Sequence, residues 1–354
     1  MSDQLMKRAR SLLSQLGADG LLSFKPENRR YFSGFTGTSG YVLILPETQW
    51  FITDFRYTEQ ARAQCPGFKI QLHNTERPLE AILKEAGVKT LAFEDNYMTY
   101  QFYKNLSDKL PRVSLIPAST EIENLRLVKE DWEIEKIAKA AEIADKAFDH
   151  ILGYIRPGVS EREVALELEI YMKKLGASGL SFETIAASGL RSAMPHGVAS
   201  DKLIGDRDFL TLDFGCVYEG YCSDMTRTVV VGKASDEQKK IYSTVLEAQE
   251  KALNVIREGI NGVDVDKIAR DVISSNGYGE YFGHGLGHGV GLEIHEEPRL
   301  SPTGTKTLLE NMVVTDEPGI YIPGFGGVRI EDLVVVKKDG CVVLSHSPKQ
   351  LIEL

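Results

Sequence analysis

IRPGVSEREVALEL (residues 155–168) returns as IREGINGVDVDKIA (residues 256–269) at an offset of 101 positions. The glycine that ends each match, Gly176 or Gly277, keeps the same offset. A β-rich stretch with acidic residues follows each copy. Because these features recur in register, the sequence favours an internal duplication. We therefore predict that residues 126–354 form one domain of two related halves, each a pair of helices with a β-hairpin.

The first copy also indicates where its helices begin and end. Apolar side chains from Trp132 to Ile151 recur at helical spacing, so we predict a long amphipathic helix from about Glu130. The IRPGVS turn ends this helix. Ser160 then begins a second helix, because it forms a capping-box pattern with Glu163.

The first part of the chain alternates short apolar runs with helical patterns. We predict strands at 21–24, 41–45, 50–53 and 91–93, helices at 55–65 and 77–87, and a loop between strands at GFTGTSG (34–40). Such alternation is typical of an α/β domain, which we place at residues 1–125. The fold class expected for the whole chain is α/β, in the wider sense that includes α+β.

Composition excludes several classes of function. The 354 residues include 41 basic and 51 acidic ones, and the net charge of -10 disfavours binding to nucleic acid or to an anionic membrane surface. The four cysteines form no CxxC pair, which excludes zinc ribbons and thioredoxin-like redox sites. The chain has no run of about 18 apolar residues and no signal-peptide core at its N-terminus. We therefore expect a soluble cytoplasmic protein.

Acidic residues lie in or beside apolar strands in both halves. Asp213 follows an apolar run and Asp224 begins the returning strand of the first hairpin. In the second hairpin, Glu317 leaves one strand and Glu331 enters the next. Carboxylates in apolar strands are rarely buried without a cation or metal as partner. Four hard oxygen donors favour Mn or Mg over a thiolate zinc site, and bridging carboxylates suit two metals about 3.5–4 Å apart.

Four of the seven histidines lie in glycine-rich segments near these hairpins: His196, His284, His288 and His295. Glycines alternate from 283 to 291, so His284 and His288 are expected on one side at strand period. They are not an HExxH zinc helix, because no Glu follows His284 and the glycines disfavour a helix. Alternating glycines instead suit close approach of the backbone to another element or a ligand. Nucleotide-binding and serine-hydrolase motifs are absent.

The order of these segments resembles a known family, the pita-bread metallopeptidases, and within it the Xaa-Pro peptidases, aminopeptidase P and prolidase. The segments that carry the resemblance are SAMPHG (192–197), SDMTRT (223–228), HGLGHGVGLEIHE (284–296), DEPGIY (316–321) and VRIED (328–332). It covers essentially the whole chain, since residues 1–125 resemble the family's creatinase/prolidase-like N-terminal domain. The resemblance implies a C-terminal pita-bread domain of two pseudo-symmetric halves and a metallo-exopeptidase acting on proline-containing peptides.

The resemblance also implies two divalent metal ions per chain, with manganese expected and cobalt or zinc as alternatives. Asp213 would bind one metal, and Asp224 and Glu331 would bridge the two. His288 and Glu317 would bind the other metal.

Four further residues receive catalytic roles from the resemblance, and Glu317 receives a second role, taking a proton from the bridging water. His196 and His284 would contact the substrate carbonyl or stabilise the tetrahedral intermediate. His295 would lie near the proline-side leaving group. Arg329 would orient a bridging carboxylate.

Two alternatives to the expected activity stay open. The GFTGTSG segment and the short N-terminal domain resemble bacterial aminopeptidase P-like chains, so we expect an Xaa-Pro aminopeptidase, with Xaa-Pro dipeptidase (prolidase) as the alternative. No arginine or lysine can be assigned to a substrate carboxylate, and Arg191 is only a candidate. A metal-free binding module or a creatinase-like hydrolase is a more distant alternative.

The family pattern also implies an assembly, and this chain departs from the pattern at two places. Relatives in the family form dimers, so a homodimer is expected. Asp316 stands where many relatives carry an apolar residue or Asn, and it would either tune metal affinity or face solvent. Cys216 and Cys222 match no ligand position and are expected to be packing residues.

Overall fold

Six strands and six helices form the N-terminal part of the chain. A computed structural model describes residues 3–354, and the chain divides into a unit that ends at Arg126 and a unit from Leu127 to Leu354. The helices of the first unit are α1 (Asp3–Leu16), α2 (Pro26–Ser33), α3 (Thr58–Gln64), α4 (Leu79–Glu85), α5 (Tyr100–Lys109) and α6 (Ser119–Asn124). Its strands are β1 (Gly20–Ser23), β2 (Tyr41–Ile44), β3 (Gln49–Thr53), β4 (Lys69–Leu72), β5 (Thr90–Phe93) and β6 (Ser114–Pro117).

These strands form one mixed sheet in the order β4-β3-β2-β1-β5-β6. Strands β1, β5 and β6 run parallel to one another, whereas β2 is antiparallel to both of its neighbours. The four predicted strands correspond to β1, β2, β3 and β5 to within one residue at each end. The 34–40 segment is a loop, but it connects helix α2 to β2 rather than two strands. Helix α2 has only eight residues, between Pro26 at its start and Gly34 (φ 74°) at its end, which is too short for a periodic signal.

Four helices of the second unit form two pairs, one from each half of the duplication. They are α7 (Asp131–Leu152), α8 (Glu161–Lys174), α9 (Asp236–Leu253) and α10 (Gly262–Ser275). The capping box of Ser160 and Glu163 is confirmed at the start of α8. Val164 in α8 and Val265 in α10 are equivalent by the repeat, and both are fully buried. Trp132 departs from the expected buried face of α7, because in the first turn of that helix it remains 38% exposed.

The strands of the second unit form small, mostly antiparallel sheets beside the helix pairs. They are β7 (Gly179–Leu180), β8 (Ile185–Ser188), β9 (Phe209–Phe214), β10 (Cys216–Tyr218), β11 (Tyr221–Cys222), β12 (Met225–Val230), β13 (Gly287–Gly289), β14 (Glu296–Leu300), β15 (Val313–Asp316), β16 (Gly319–Ile322), β17 (Gly326–Arg329), β18 (Asp332–Lys337) and β19 (Gly340–Val343). The sheet orders are β12-β9-β8, β11-β10-β7, β14-β13-β15-β18-β19 and β16-β17.

Each half of this unit has its own apolar core. In the first half, Phe148 and Leu168 from the helices pack with Leu212 of β9. In the second half, Val265 of α10 packs with Val334 of β18. One face of each strand set is therefore covered by its helix pair, and the other face is left for a site. These two halves are the ones that the duplication predicted, and together they have the pita-bread architecture that the resemblance implies. None of the described helices is long and apolar enough to cross a membrane.

Two leucines of α8, one buried and one exposed, allow the contribution of core packing to stability to be measured apart from helix propensity. Leu168 is fully buried, whereas Leu166 is 54% exposed on the same helix. Leu168→Ala is expected to lower the free energy of unfolding by about 2–5 kcal/mol, because it leaves a cavity. Leu166→Ala serves as the matched control and should stay within about 0.5 kcal/mol of the parent. Chemical denaturation followed by circular dichroism measures both, and equal effects would contradict the assigned core.

Candidate metal centre

In the first half, β9 and β12 bring two acids to one end of their sheet. Thr226 lies opposite Asp213 in antiparallel register. Asp224 lies two residues before Thr226, and residues two apart point to the same face of a strand. Asp213 and Asp224 therefore share a face, although they are eleven residues apart in the chain.

In the second half, β15 and β18 bring two glutamates together by the same geometry. Asp316 lies directly opposite Asp332 at the ends of these strands. Glu317 follows Asp316 and Glu331 precedes Asp332, so alternation turns the glutamates to the other face. Both glutamates line a cavity of about 430 Å³.

Three of these four carboxylates form a tight cluster. Oxygen atoms of Asp213, Asp224 and Glu331 lie within 4.8 Å of one another, and the Glu331 residue is only 1% exposed. Burial, followed by repulsion from Glu331 and Asp213, raises the pKa of Asp224 well above its usual value. Burial is also the main cause that raises the pKa of Asp213 and of Glu331. The cluster therefore disfavours its own negative charges when no cation is bound.

Two of the clustered carboxylates have one oxygen held in place and the other without a partner. Arg329 Nη2 donates to Asp213 Oδ2 over 2.5 Å, and Thr226 Oγ1 donates to Glu331 Oε2 over 2.7 Å. Asp213 Oδ1 and Glu331 Oε1 are buried and accept no hydrogen bond. A buried acceptor without a donor is costly, and a cation would satisfy both oxygens. The donor set thus fits a hard divalent ion.

His288 completes the cluster from the glycine-rich strand β13. Its Nδ1 lies 3.1 Å from Gly289 O, so Nδ1–H donates to that carbonyl and Nε2 faces the carboxylates. Nε2 lies 3.3 Å from Glu317 Oε1 and 3.6 Å from Asp224 Oδ2. Burial raises the pKa of Glu317, but the hydrogen bond with His288 and its charge outweigh burial and hold that pKa at about 2.

Glycine in β13 allows this close packing. A Cβ at Gly287 would lie 2.1 Å from Thr315 O, so only glycine permits β13 to lie this close to the adjacent strand β15. This confirms the close approach expected from the alternating glycines. Thr315 uses the proximity, since its Oγ1 accepts from His288 N at 3.0 Å and donates to Glu317 Oε1 at 3.1 Å.

Tyr321 is a site residue that the sequence analysis missed. Arg329 Nη1 donates to Tyr321 Oη over 2.8 Å, and Tyr321 Oη lies 2.9 Å from His284 Nε2. His284 Nδ1 lies 2.8 Å from the carbonyl of Gly285, so Nδ1–H donates there and the Tyr321 hydroxyl donates to Nε2. Both ring nitrogens of His284 are therefore engaged. The tyrosine of the EPGIY segment was the available signal, but a single tyrosine in a strand gives no reason to expect this role.

The nine residues to which the sequence analysis gave metal or catalytic roles line the same cavity: His196, Asp213, Asp224, His284, His288, His295, Glu317, Arg329 and Glu331. Their individual roles stay predictions. Burial, and then the charges of His288 and Arg299, lower the pKa of His295 to about 4. His295 is therefore neutral near pH 7 and able to accept or donate one hydrogen bond at each ring nitrogen.

Asp316 does not face solvent. It is fully buried on the side of β15 that points away from the cavity, and Gln249 Nε2 donates to its Oδ2 over 3.2 Å. Cys216 and Cys222 are also buried. Burial raises the pKa of their thiols to about 11 and about 12, so neither offers a thiolate at neutral pH.

Comparison with known proteins decides the family. The sequence pattern of metallopeptidase family M24 matches residues 135–338, and that of the creatinase/prolidase N-terminal domain matches residues 6–128. This chain belongs to metallopeptidase family M24. As an M24 chain it is a metallo-exopeptidase that uses divalent metal, and its second unit has the pita-bread fold of that family.

Individual relatives of this M24 chain carry two different names. It is similar to a solved Xaa-Pro dipeptidase from Bacillus anthracis, with 51% identity, a TM-score of 0.96 and 99% of each chain covered. It is 41% identical over 352 residues to an Xaa-Pro dipeptidase of Pyrococcus horikoshii, which covers 99% of each chain. A solved X-Pro aminopeptidase from Thermotoga maritima is 42% identical, with a TM-score of 0.92 and 99% of each chain covered.

The buried cluster generates a prediction about metal and stability. Glu331→Gln removes one charge from the repelling carboxylates. The metal-free variant is therefore expected to melt at a higher temperature than the metal-free parent. Saturating Mn²⁺ should raise the Tm of the parent, because binding at 1,000 times Kd adds about 4 kcal/mol to the free energy of unfolding. The Tm of the variant should stay nearly unchanged. Scanning fluorimetry with EDTA or MnCl₂ measures both effects.

Glu310→Gln is the matched control, because Glu310 is exposed and does not line the cavity. It should behave like the parent in both conditions. A full Mn²⁺ shift in Glu331→Gln would show that the metal binds elsewhere.

Proposed function

We propose that this protein is an Xaa-Pro dipeptidase (prolidase), which hydrolyses the peptide bond before a C-terminal proline. The relatives named Xaa-Pro dipeptidase support this reading more strongly than the aminopeptidase P expected from the sequence. The observation that carries the proposal is a cation at the cavity, Arg299. A dipeptidase needs such a cation because its substrate ends in a carboxylate immediately after the scissile bond.

Strand register places Arg299 beside the candidate metal ligands. In the antiparallel pair of β13 and β14, Arg299 lies directly opposite His288. Directly opposed residues project to the same face with Cβ atoms about 4.5–5.5 Å apart. Arg299 lines the cavity and is exposed there. Within residues 3–354, its guanidinium has no carboxylate partner, so it is available to a ligand.

The other arginines near the cavity already have partners. Arg329 is paired with Asp213 and Tyr321, as described above. Arg191, the candidate named from the sequence, donates to Glu161 over 2.5 Å and to Val198 O over 2.9 Å. Arg299 is therefore the cavity arginine best placed to bind a substrate carboxylate, and the bidentate geometry of its guanidinium suits that group.

We assign the metal ligands as the resemblance implies: Asp213, Asp224, His288, Glu317 and Glu331 would hold two divalent ions, with manganese expected. Bound divalent ions would lower the pKa of an attacking water and polarise the scissile carbonyl. The unpartnered oxygens of Asp213 and Glu331 support this assignment.

The remaining residues hold or move protons and orient the substrate. Glu317 is ionised at neutral pH and lies in the cavity, and we assign it the proton of the attacking water as the resemblance implies. His196 would donate a hydrogen bond to the developing oxyanion. The resemblance gives His284 a place at the same carbonyl, but both of its ring nitrogens are engaged, so we assign this hydrogen bond to His196 alone. Neutral His295 would lie near the proline-side leaving group. Arg329 would orient the carboxylate of Asp213, to which it donates.

Substrate length separates the dipeptidase from the aminopeptidase. We expect a higher kcat/KM for an Xaa-Pro dipeptide than for its C-terminal amide or for Xaa-Pro-Yaa. Arg299→Met should lower kcat/KM on the dipeptide by roughly 30- to 100-fold, because a charged hydrogen bond of about 2–3 kcal/mol is lost. Side-by-side kinetics with Mn²⁺ measure these ratios.

The amide substrate is the internal control for that experiment. Arg299→Met should change its turnover by less than threefold, and Arg299→Lys should retain part of the dipeptide activity. Faster turnover of Xaa-Pro-Yaa than of Xaa-Pro by the parent would make this protein an aminopeptidase P.

A second experiment separates metal ligands from residues that act on the substrate. His196→Ala is expected to lower kcat by about 10²–10³ while the Mn²⁺ content is unchanged, because it removes a hydrogen bond made in the transition state. Asp224→Asn should lose metal as well as activity. Elemental analysis beside steady-state kinetics measures both, and loss of metal in His196→Ala would contradict the assigned roles.

A further inference from the structure

The imidazole of His196 is not held by bonds of its own. It is exposed at the cavity, and its ring has no hydrogen bond or ion pair within residues 3–354. The rings of His284 and His288, in contrast, are each bonded to a neighbouring carbonyl. The place of the His196 ring therefore depends on the backbone segment that carries it.

That segment, residues 189–200, begins directly after β8 with a short 3₁₀ helix (Gly189–Ala193) and is otherwise irregular. Ile185 in β8 lies opposite Asp213 in β9. An isolated bridge joins Ile185 to Val198, two residues beyond His196. The segment thus leaves the sheet after Ser188, which lies opposite Leu210, and its Val198 returns beside Ile185, which lies opposite the candidate metal ligand Asp213.

The carboxylate of Glu161 joins the two ends of this segment. Glu161 is the first residue of α8, and it is fully buried. Its Oε1 accepts from Ser188 N at 2.8 Å and Ser188 Oγ at 2.9 Å, directly before the segment. Its Oε2 accepts from Ser200 N at 3.1 Å and Ser200 Oγ at 2.6 Å, at the end of the segment. A buried carboxylate is tolerated only with such donors.

Arg191 connects this carboxylate to the middle of the segment. Its Nη1 donates to Glu161 Oε2, and its Nη2 donates to Val198 O, on the far side of His196. One guanidinium therefore links the segment before His196 to the segment after it. The planar fork of arginine holds both partners in a fixed geometry.

We propose that Glu161 and Arg191 are positioning residues that hold the segment carrying His196 at the wall of the cavity. This inference rests on the proposed function, because it assumes that His196 acts on the substrate. Neither Glu161 nor Arg191 touches the metal ligands or lines the cavity. The segment also carries Pro195, whose carbonyl accepts from Arg329 Nη1 over 3.3 Å, so the test must show that their effect on the reaction passes through His196.

Arg191→Met is expected to lower stability, because it leaves the buried Glu161 carboxylate without its cation, but to retain the fold. In Arg191→Met, the Glu161 carboxylate would keep its four bonds from Ser188 and Ser200. The side chain of Arg191 is 26% exposed and lies outside the two apolar cores. A change in kcat can thus be separated from a change in stability.

A double-mutant cycle on the full chain tests the proposal. Arg191→Met is expected to lower kcat by roughly 10- to 100-fold, because small misplacements of a reacting group have effects of this size. Its Tm should be lower than that of the parent but well above the assay temperature, because the buried Glu161 carboxylate loses its cation. Its Kd for Mn²⁺ should be unchanged. In the His196→Ala background, Arg191→Met should change kcat by less than twofold, because the group it positions is gone.

Two further variants sharpen the cycle. Arg162→Met is the matched control, since it breaks an exposed ion pair with Asp201 at the same helix start and should leave kcat unchanged. Ser200→Ala removes one bond to Glu161 and should give a smaller loss of kcat, again only when His196 is present. It replaces Arg191→Met in the cycle if that variant does not fold.

The outcomes separate this inference from the proposed function. Equal losses in both backgrounds, an unchanged kcat in Arg191→Met, or a weaker Mn²⁺ affinity would each overturn the positioning role. An unchanged kcat in His196→Ala would contradict the proposed role of His196, and with it this inference. Loss of kcat in His196→Ala with no loss in Arg191→Met overturns the inference alone.

Discussion

Three carboxylates crowded within 4.8 Å are the constraint on which the second unit depends. Without a cation, burial and mutual repulsion oppose their ionisation, as the raised pKa values of Asp213, Asp224 and Glu331 show. The surrounding structure holds them together nonetheless, with Arg329 bonded to Asp213 and Thr226 bonded to Glu331. Each bond leaves a second, buried oxygen without a hydrogen-bond partner. The fold thus maintains an arrangement that is unfavourable alone and favourable around divalent metal.

The two halves of the duplication meet where these acids lie. Thr226 O on β12 accepts from Glu331 N over 3.1 Å, and Thr228 Oγ1 donates to Arg329 O over 3.0 Å. Behind this junction, Arg227 of the first half is paired with Asp332 of the second over 2.9 Å, and both are almost fully buried. A buried ion pair adds little net stability, but its directional bonds restrict how the two halves align. That alignment determines the spacing of the carboxylates on the cavity side.

Chemistry and specificity come from different parts of the cavity. The carboxylates are presented by the strands that the two halves contribute, whereas the candidate specificity residue Arg299 lies on β14 at the sheet edge. Its place follows from one register pair, Arg299 opposite His288. A shift of one residue in that pairing would turn the guanidinium to the other face. Specificity within one fold is therefore open to change at an edge strand without altering the ligand cluster.

The sequence alone determined the fold class, the duplicated helix pairs and nine of the residues at the cavity. Capping residues such as Ser160, and strand runs such as 41–44, act over a few neighbours, so their signals are readable locally. The ordered segments around Asp213, His288 and Glu317 identified the family. Helix α2 was missed because eight residues carry too little periodicity.

Only the tertiary structure decided which partners each side chain has. Tyr321 became part of the site because strand pairing brought it between His284 and Arg329. Arg191 is not assigned to the substrate carboxylate, because it already donates to Glu161, thirty residues earlier in the chain. Asp316 turned out to be buried because it faces Asp332 across a sheet. Such pairings join residues that are far apart in the chain. Because the two partners are not neighbours in sequence, their complementary charges and hydrogen-bonding groups leave no local pattern that a single sequence could reveal.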